Sequence, residues 1–335
     1  MNSKTIMRAL ALMLLLAVLA GCGAPAANNA SNNAAPANTN AAENTANTAE
    51  SFKPVTVTDD LGNSVTFTEM PKKVAAIMGS FADTWVLAGG DLVAAVDDAW
   101  EDFGLELKDA VKLGKYNAVS LEQLFACEAD LVIGSANTKK QVDLKDTLEK
   151  SGVKTLYFNV NSFEDYLRML KACTDITGRA DLYEKNGTAI QAQVDAAKKA
   201  AADKVKAAGA APKVLFIRTA ASVVSAKGST GTVLGLMLKD LGCVNIADGS
   251  DLLENLSIEK IIQEDPDMVF ITQQGSDSAG AEKSLKAALT ENPAWAGLKA
   301  VKEGEVHYME KRLYHLKPNS LWGKAYEELE KLIYE

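Results

Sequence analysis

The side chains best suited to chemistry in this 335-residue chain sit near its end, where Lys311, Arg312, Tyr314, His315 and Lys317 share one short stretch of a sequence with a formal net charge of −9. A guanidinium and two ammonium groups beside aromatic rings suit an anionic ligand with a large face. The planar donor pairs with a carboxylate at two points, and the rings offer stacking area. Only two histidines occur, His307 and His315. His307 precedes Tyr308 in a strand-like run and reads as structural, whereas His315 reads as part of a loop and is the better binding candidate. A zinc or manganese site built from both halves of the chain would draw imidazoles from both, so no metal site is expected.

Signatures of catalysis are missing: there is no G-x-S-x-G elbow, no H-E-x-x-H, no P-loop and no G-x-G-x-x-G after a strand. Gly228-Ser-Thr-Gly231 lacks the P-loop lysine. Ser257-Ile-Glu-Lys260 has S-x-x-K spacing without its companion elements, and Ser257 reads as a helix cap. No catalytic residue is therefore expected. The alternative of another class is a surface hydrolase using Asp98, Glu101 or Asp102 as acid–base groups, which turnover would reveal. A third reading is a ligand-sensing receptor domain, separable from a transport role by neighbouring genes for a permease and an ATPase.

Elements must position these groups. Short apolar runs at Val74–Met78, Leu92–Val96, Leu131–Ile133 and Thr155–Phe158 alternate with helical patterns, and a second set follows at Val214–Ile217, Met268–Thr272 and Val306–Met309. That alternation predicts parallel strands buried on both faces, in two α/β lobes. Between the lobes, residues 181–206 are rich in Ala, Lys, Gln, Glu and Asp and contain no proline, which predicts one long, mostly solvated helix stopped at Gly209-Ala-Ala-Pro212. Ahead of the first lobe, Val55–Thr58 and Val65–Phe67 flank Asp60-Leu-Gly-Asn63 as a β-hairpin.

Ligands of such folds bind outside the carboxyl ends of the strands, so the loops after them hold the candidates. These are Met78, Phe81, Trp100, Phe103, Tyr116 and Asn137 in the first lobe. In the second they are Arg218, Gln273, Arg312, Tyr314 and His315.

The two lobes also share a repeat. Ser120-Leu-Glu-Gln-Leu leads to Asp130-Leu-Val-Ile, and Ser257-Ile-Glu-Lys-Ile leads to Asp267-Met-Val-Phe at the same spacing. Each copy reads as a capping serine, a two-turn helix and an aspartate entering a buried strand.

The N-terminus differs in kind. Lys4 and Arg8 precede the apolar run Ala9–Ala20, which ends at Gly21-Cys22. This predicts a signal peptide whose end resembles a lipobox, with Cys22 lipidated as the first mature residue. Gly23 to Ser51 is almost wholly Ala, Asn, Thr, Pro and Ser and reads as a disordered tether. Cleavage removes two bases and no acid, so the mature chain is still more acidic and nucleic acid is an unlikely partner by charge. Cys127, Cys173 and Cys243 are isolated from one another and read as free, buried thiols.

Together, Val55-Thr-Val-Thr-Asp-Asp-Leu-Gly62, Pro71-Lys-Lys-Val74, Ala129-Asp-Leu-Val-Ile133, Asp265-Pro-Asp267, Asn292-Pro-Ala-Trp295 and Leu298-Lys-Ala-Val-Lys302 resemble the ABC-transporter solute-binding proteins for iron–siderophore, haem and cobalamin. The resemblance implies two Rossmann-like lobes with parallel sheets joined by one long helix, with a ligand cleft between them. The divisions would be leader 1–21, lipidated Cys22 and tether 22–53, first lobe 54–178, helix 179–209 and second lobe 210–335. It implies little hinging, a monomer, and delivery to an ABC permease and its ATPase from the outer face of the membrane. Glu122 and Glu259, equal in the repeat, would meet permease arginines. No cofactor of the protein's own is expected, since iron or cobalt would arrive inside the ligand. Haem would want an axial group such as Tyr116, His315 or Met78; a ferric siderophore would use Arg218, Arg312 and Lys317; cobalamin would need Trp100 and Gln273. The siderophore is the first expectation, ahead of cobalamin and haem.

Overall fold

The structure, a computed structural model, describes residues 52–335. The leader, the expected lipidation at Cys22 and nearly all of the tether lie outside the described residues.

The hairpin pairs β1 (Val55–Thr58) with β2 (Ser64–Phe67). Buried Asp59 accepts from the Leu61 and Asn63 amides in its turn and from the Tyr157 amide at 3.1 Å, which ties the hairpin to the first lobe. That lobe contains β3 (Val74–Ala76), β4 (Ala94–Ala95), β5 (Val111–Lys112), a separate small pair β6 (Gly114–Lys115) and β7 (Ala118–Val119), then β8 (Leu131–Ser135) and β9 (Lys154–Phe158). Its main sheet runs β5-β4-β3-β8-β9, parallel throughout. Every residue of β8 is buried, as a parallel strand covered on both faces requires.

The second lobe is built on β10 (Lys213–Ala220), β11 (Val223–Ala226), β12 (Val244–Asn245), β13 (Met268–Gln273) and β14 (Val306–Tyr308). The order β11-β10-β13-β14 is parallel except for β11, which folds back antiparallel on the end of β10. That edge strand was not foreseen, because its turn at Ala221-Ser222 carries neither Gly nor Asn.

The repeat is structural. Ser120 and Ser257 both cap their helices, accepting from Gln123 and Lys260 amides. Asp130 Oδ2 then accepts from the Lys72 amide at 2.8 Å, and Asp267 Oδ2 from the Lys213 amide at 2.8 Å, each pinning its strand to the neighbouring one. Two residues ahead of these aspartates, Glu128 and Asp265 both take positive φ, 50° and 42°. A non-glycine residue in that conformation is strained, and the same strain at matched positions marks one supersecondary unit used twice.

Between the lobes, helical backbone continues from Ala180–Tyr183 through one π-turn, Glu184–Thr188, into Ala189–Ala208, and stops at Gly209 with φ 71°. The π-turn brings the Asn186 carbonyl to Tyr166 Oη and the Asn186 amide to the Leu87 carbonyl, so the bulge is anchored to the first lobe. The helix is mostly solvated, as expected, apart from one face. Ile190, Val194, Ala197 and Ala201 form a fully buried stripe at helical spacing. They face the C-terminal helix Trp322–Tyr334, and a Cβ at Gly323 would stand only 2.9 Å from Gln193 Cβ. The largest apolar core is continuous from Val57, Phe81 and Trp85 through Val194 to Phe216 and Trp322, so the lobes share one core.

Candidate ligand-binding cleft

At the carboxyl ends of both sheets lies a cavity of about 450 Å³, lined from both lobes. Met78, leaving β3, and Ser135, closing β8, reach it from the first lobe together with Asp98, Phe103, Tyr116 and Asn137. Arg218 near the end of β10, Thr232, Gln274, Lys311, His315 and Lys317 line it from the second.

Asp98 opens the short helix Asp98–Glu101, which packs so closely on Gly79 that a Cβ there would meet its carboxyl carbon at 2.8 Å. The Gly79 amide donates to Asp98 Oδ2 at 3.3 Å, while Oδ1 is buried with no partner. Burial pushes this carboxyl up to about 6, and Asp102 and Asp97 push the same way against the Gly79 hydrogen bond. Across the cavity, His315 is driven down to about 4 by burial and then by Arg218, Lys311 and Lys317. The imidazole is therefore neutral at pH 7, and its buried Nδ1 has no partner.

Arg218 is likewise held below its ordinary value by burial, and its Nε is buried and unpartnered. Lys317 is lowered by burial and by Arg218, against a pull from Asp98, and Lys227 by burial and by Arg218. Among the described residues none of these three cations has a carboxylate within ion-pair distance. Lys311 differs, because its Nζ lies 2.6 Å from Asp102 Oδ1 of the opposite lobe.

Of the sequence candidates, Met78, Phe103, Tyr116, Asn137, Arg218 and His315 come together on this cavity, and five do not. Phe81 is 1% exposed and meets Phe158 edge-on at 6.4 Å, since the helix starting at Gly79 turns it into the core. Trp100 packs against a small alanine cluster with Lys112 Nζ 5.1 Å above its ring. Gln273 misses by strand parity: the β13 side chains alternate between two cores, and Gln273 falls on the outer face, donating to Ser278 Oγ. There it lines a separate cavity of about 300 Å³ with Thr219 and Tyr308, and Gln274 takes the cleft position instead.

Arg312 is committed elsewhere. Its guanidinium donates to Asp83 Oδ2 at 3.1 Å and to the Lys317 carbonyl at 2.8 Å, and it covers the Phe103 ring at 4.5 Å. Tyr314 is buried, with its hydroxyl donating to the Ala325 carbonyl. Of the hydrolase candidates, Asp98 and Asp102 both line the cavity, Asp102 held by Lys311, while Glu101 is exposed off it. His307 stacks on Phe270 and pairs with Glu305, a structural histidine. Cys127, Cys173 and Cys243 are free thiols, but only Cys173 and Cys243 are buried as expected, Cys127 lying half-buried at the end of its helix; burial alone pushes Cys173 up to about 12, so it is inert.

The missed positions had signals. Thr232 caps the helix Val233–Asp240 by accepting from the Gly235 amide, and the Gly231-Thr232 pair before an apolar run announces that cap.

Two α/β lobes that share a core, joined by a helix and lining one cavity at their strand ends, define a two-lobed ligand-binding protein. The periplasmic binding protein family model matches residues 74–313, and the chain belongs to that family. The uncharacterized ABC transporter substrate-binding lipoprotein YvrC of Bacillus subtilis is 24% identical over 300 residues, covering 89% of this chain and 87% of that protein. The Fe(3+)-citrate-binding protein YfmC of the same organism is 24% identical over 306 residues, covering 88% and 86%. Among solved structures, Staphylococcus aureus SirA complexed with staphyloferrin B superposes with a TM-score of 0.64 at 21% identity, covering 84% of this chain and 97% of that one, a likeness of fold.

Proposed function

We propose that the protein is the solute-binding component of an ABC importer, held by a lipid on Cys22 at the outer face of the membrane, and that it captures an iron complex such as a ferric siderophore and hands it to the permease. The observation that carries this reading is the shared cleft. Buried, partnerless polar atoms of Asp98 on one lobe and of Arg218 and His315 on the other converge on one cavity, an arrangement suited to a ligand that satisfies all three. The names of the relatives, substrate-binding lipoproteins and an Fe(3+)-citrate-binding protein among them, supply the transport context. The protein would work as a monomer without a cofactor of its own.

Delivery needs a contact that leaves the cleft free. Glu122 and Glu259 are exposed on the matched capped helices of the two lobes, where paired permease arginines would find them. The test is a tryptophan-fluorescence titration against ferric siderophores, haemin and cobalamin. Saturable submicromolar binding of an iron complex supports the reading, and no binding of any of them refutes it.

A further inference from the structure

The cleft carries more positive charge than its own carboxylates balance. Arg218 shares the cavity wall with His315 and Lys317 of the last loop, and Lys227 after β11, outside the lining, also feels its charge, while Asp98 on the facing wall offsets Lys317 in part. Among the described residues no carboxylate lies within ion-pair distance of Arg218, Lys227 or Lys317, although the chain's net charge is −9 and surface lysines elsewhere find acidic partners repeatedly. Clustering desolvated like charges destabilises the empty protein, and that cost is offset when an anion arrives.

The aromatic surface argues in the same direction. A flat tetrapyrrole needs apolar walls on its faces, but Trp100 lies off the cavity and the Phe103 ring is covered by Arg312 at 4.5 Å. Tyr116 is left as the aromatic side chain on the cavity without a cation over its ring, and it is 39% exposed. Polar contacts therefore outweigh stacking in this cleft.

Resting on the importer reading above, we propose that the solute is a carboxylate-bearing ferric chelate of the hydroxycarboxylate kind, seated with its carboxylates on Arg218 and Lys317. The neutral His315 ring donates one further hydrogen bond to it. Asp98, on the facing wall, accepts from a hydroxyl of the ligand through its free Oδ1. Iron stays wholly within the chelator, and the protein recognises the anion around it.

The experiment is calorimetric titration of the full chain, extracted in detergent, with ferric citrate, ferrioxamine B, haemin and cyanocobalamin. Ferric citrate is expected to bind tightly and the others at least about 100-fold more weakly, and Arg218→Gln and Lys317→Met are each expected to weaken ferric citrate about 30-fold or more. Both variants should also melt at higher temperature than the wild type when empty, which a merely structural role would not produce. Tightest binding of ferrioxamine B, haemin or cyanocobalamin, or wild-type affinity for ferric citrate in either variant, overturns the proposal and leaves the importer reading standing. Silence toward all four overturns both. Should Arg218→Gln fail to fold, Lys317→Met decides alone.

Discussion

Lys311 of the second lobe and Asp102 of the first hold each other across the cleft, Nζ to Oδ1 at 2.6 Å, while both side chains line the cavity. Each is about one-third exposed, 31% and 27%, so solvent screens the pair and its worth is modest. A double-mutant cycle of Lys311→Ala and Asp102→Ala, read by urea unfolding of the empty protein, should give a coupling of about 1 kcal/mol or less. A coupling of several kcal/mol would mean that the ion pair, rather than the shared core, joins the lobes.

Acid should act on two facing groups with opposite signs. Asp98 is raised from 3.8 to about 6 in the folded protein. The folded state then binds more protons than the unfolded one between these values, and the stability this carboxyl contributes is present at low pH and lost as pH rises through about 6. Asp98→Asn should gain about 1–3 kcal/mol at pH 7.5 and nothing near pH 3.5. His315 is lowered from 6.5 to about 4, so the unfolded state binds more protons in that window and stability falls as pH drops from 6.5 to 4. His315→Gln should flatten that part of the stability curve. Melting temperatures of the empty variants from pH 3.5 to 8 check both signs.

Contact between the interlobe and C-terminal helices is close enough to be tested by one methyl group. Gly323→Ala would place a Cβ 2.9 Å from Gln193 Cβ, where backbone must shift. Despite the better helix propensity of alanine, the variant should lose about 1–3 kcal/mol in denaturant unfolding. A stabilised variant would show that the helices part easily.

Docking and capture should separate. Glu122→Ala combined with Glu259→Ala should leave solute affinity unchanged, since neither lines the cavity, and abolish uptake in cells. Normal uptake by the double variant would remove these glutamates from the permease contact.

Much of the architecture was legible because hydrophobic period and turn chemistry are local. The β3, β8, β10 and β13 runs, the capping serines and Asp130 with Asp267 all follow from short-range pattern. The cleft was legible less evenly. Gln273 and Gln274 are neighbours in sequence, and only the parity of β13 decides which one faces the ligand. Arg312 reads as a ligand cation until Asp83, distant in the chain, is placed 3.1 Å away. The helix is mostly solvated as its composition predicts, and the buried stripe at Ile190, Val194, Ala197 and Ala201 is diluted by alanine and masked by surrounding lysines. Local pattern fixes which loop arrives at the site, and tertiary pairing fixes which side chain within it remains free.

The loop after β14 makes the two lobes depend on each other. Asn319, at φ 54°, donates to the Ser80 carbonyl and to Asp83 Oδ2, and Arg312 closes on the same carboxylate. Asp83 belongs to the first lobe, yet its partners Arg312 and Asn319 stand 229 and 236 residues further along the chain. Without the second lobe, a buried carboxylate would stay uncompensated and Trp322 would be missing from the common core. The first lobe therefore completes its packing with residues of the second, and each lobe's stability depends on the other.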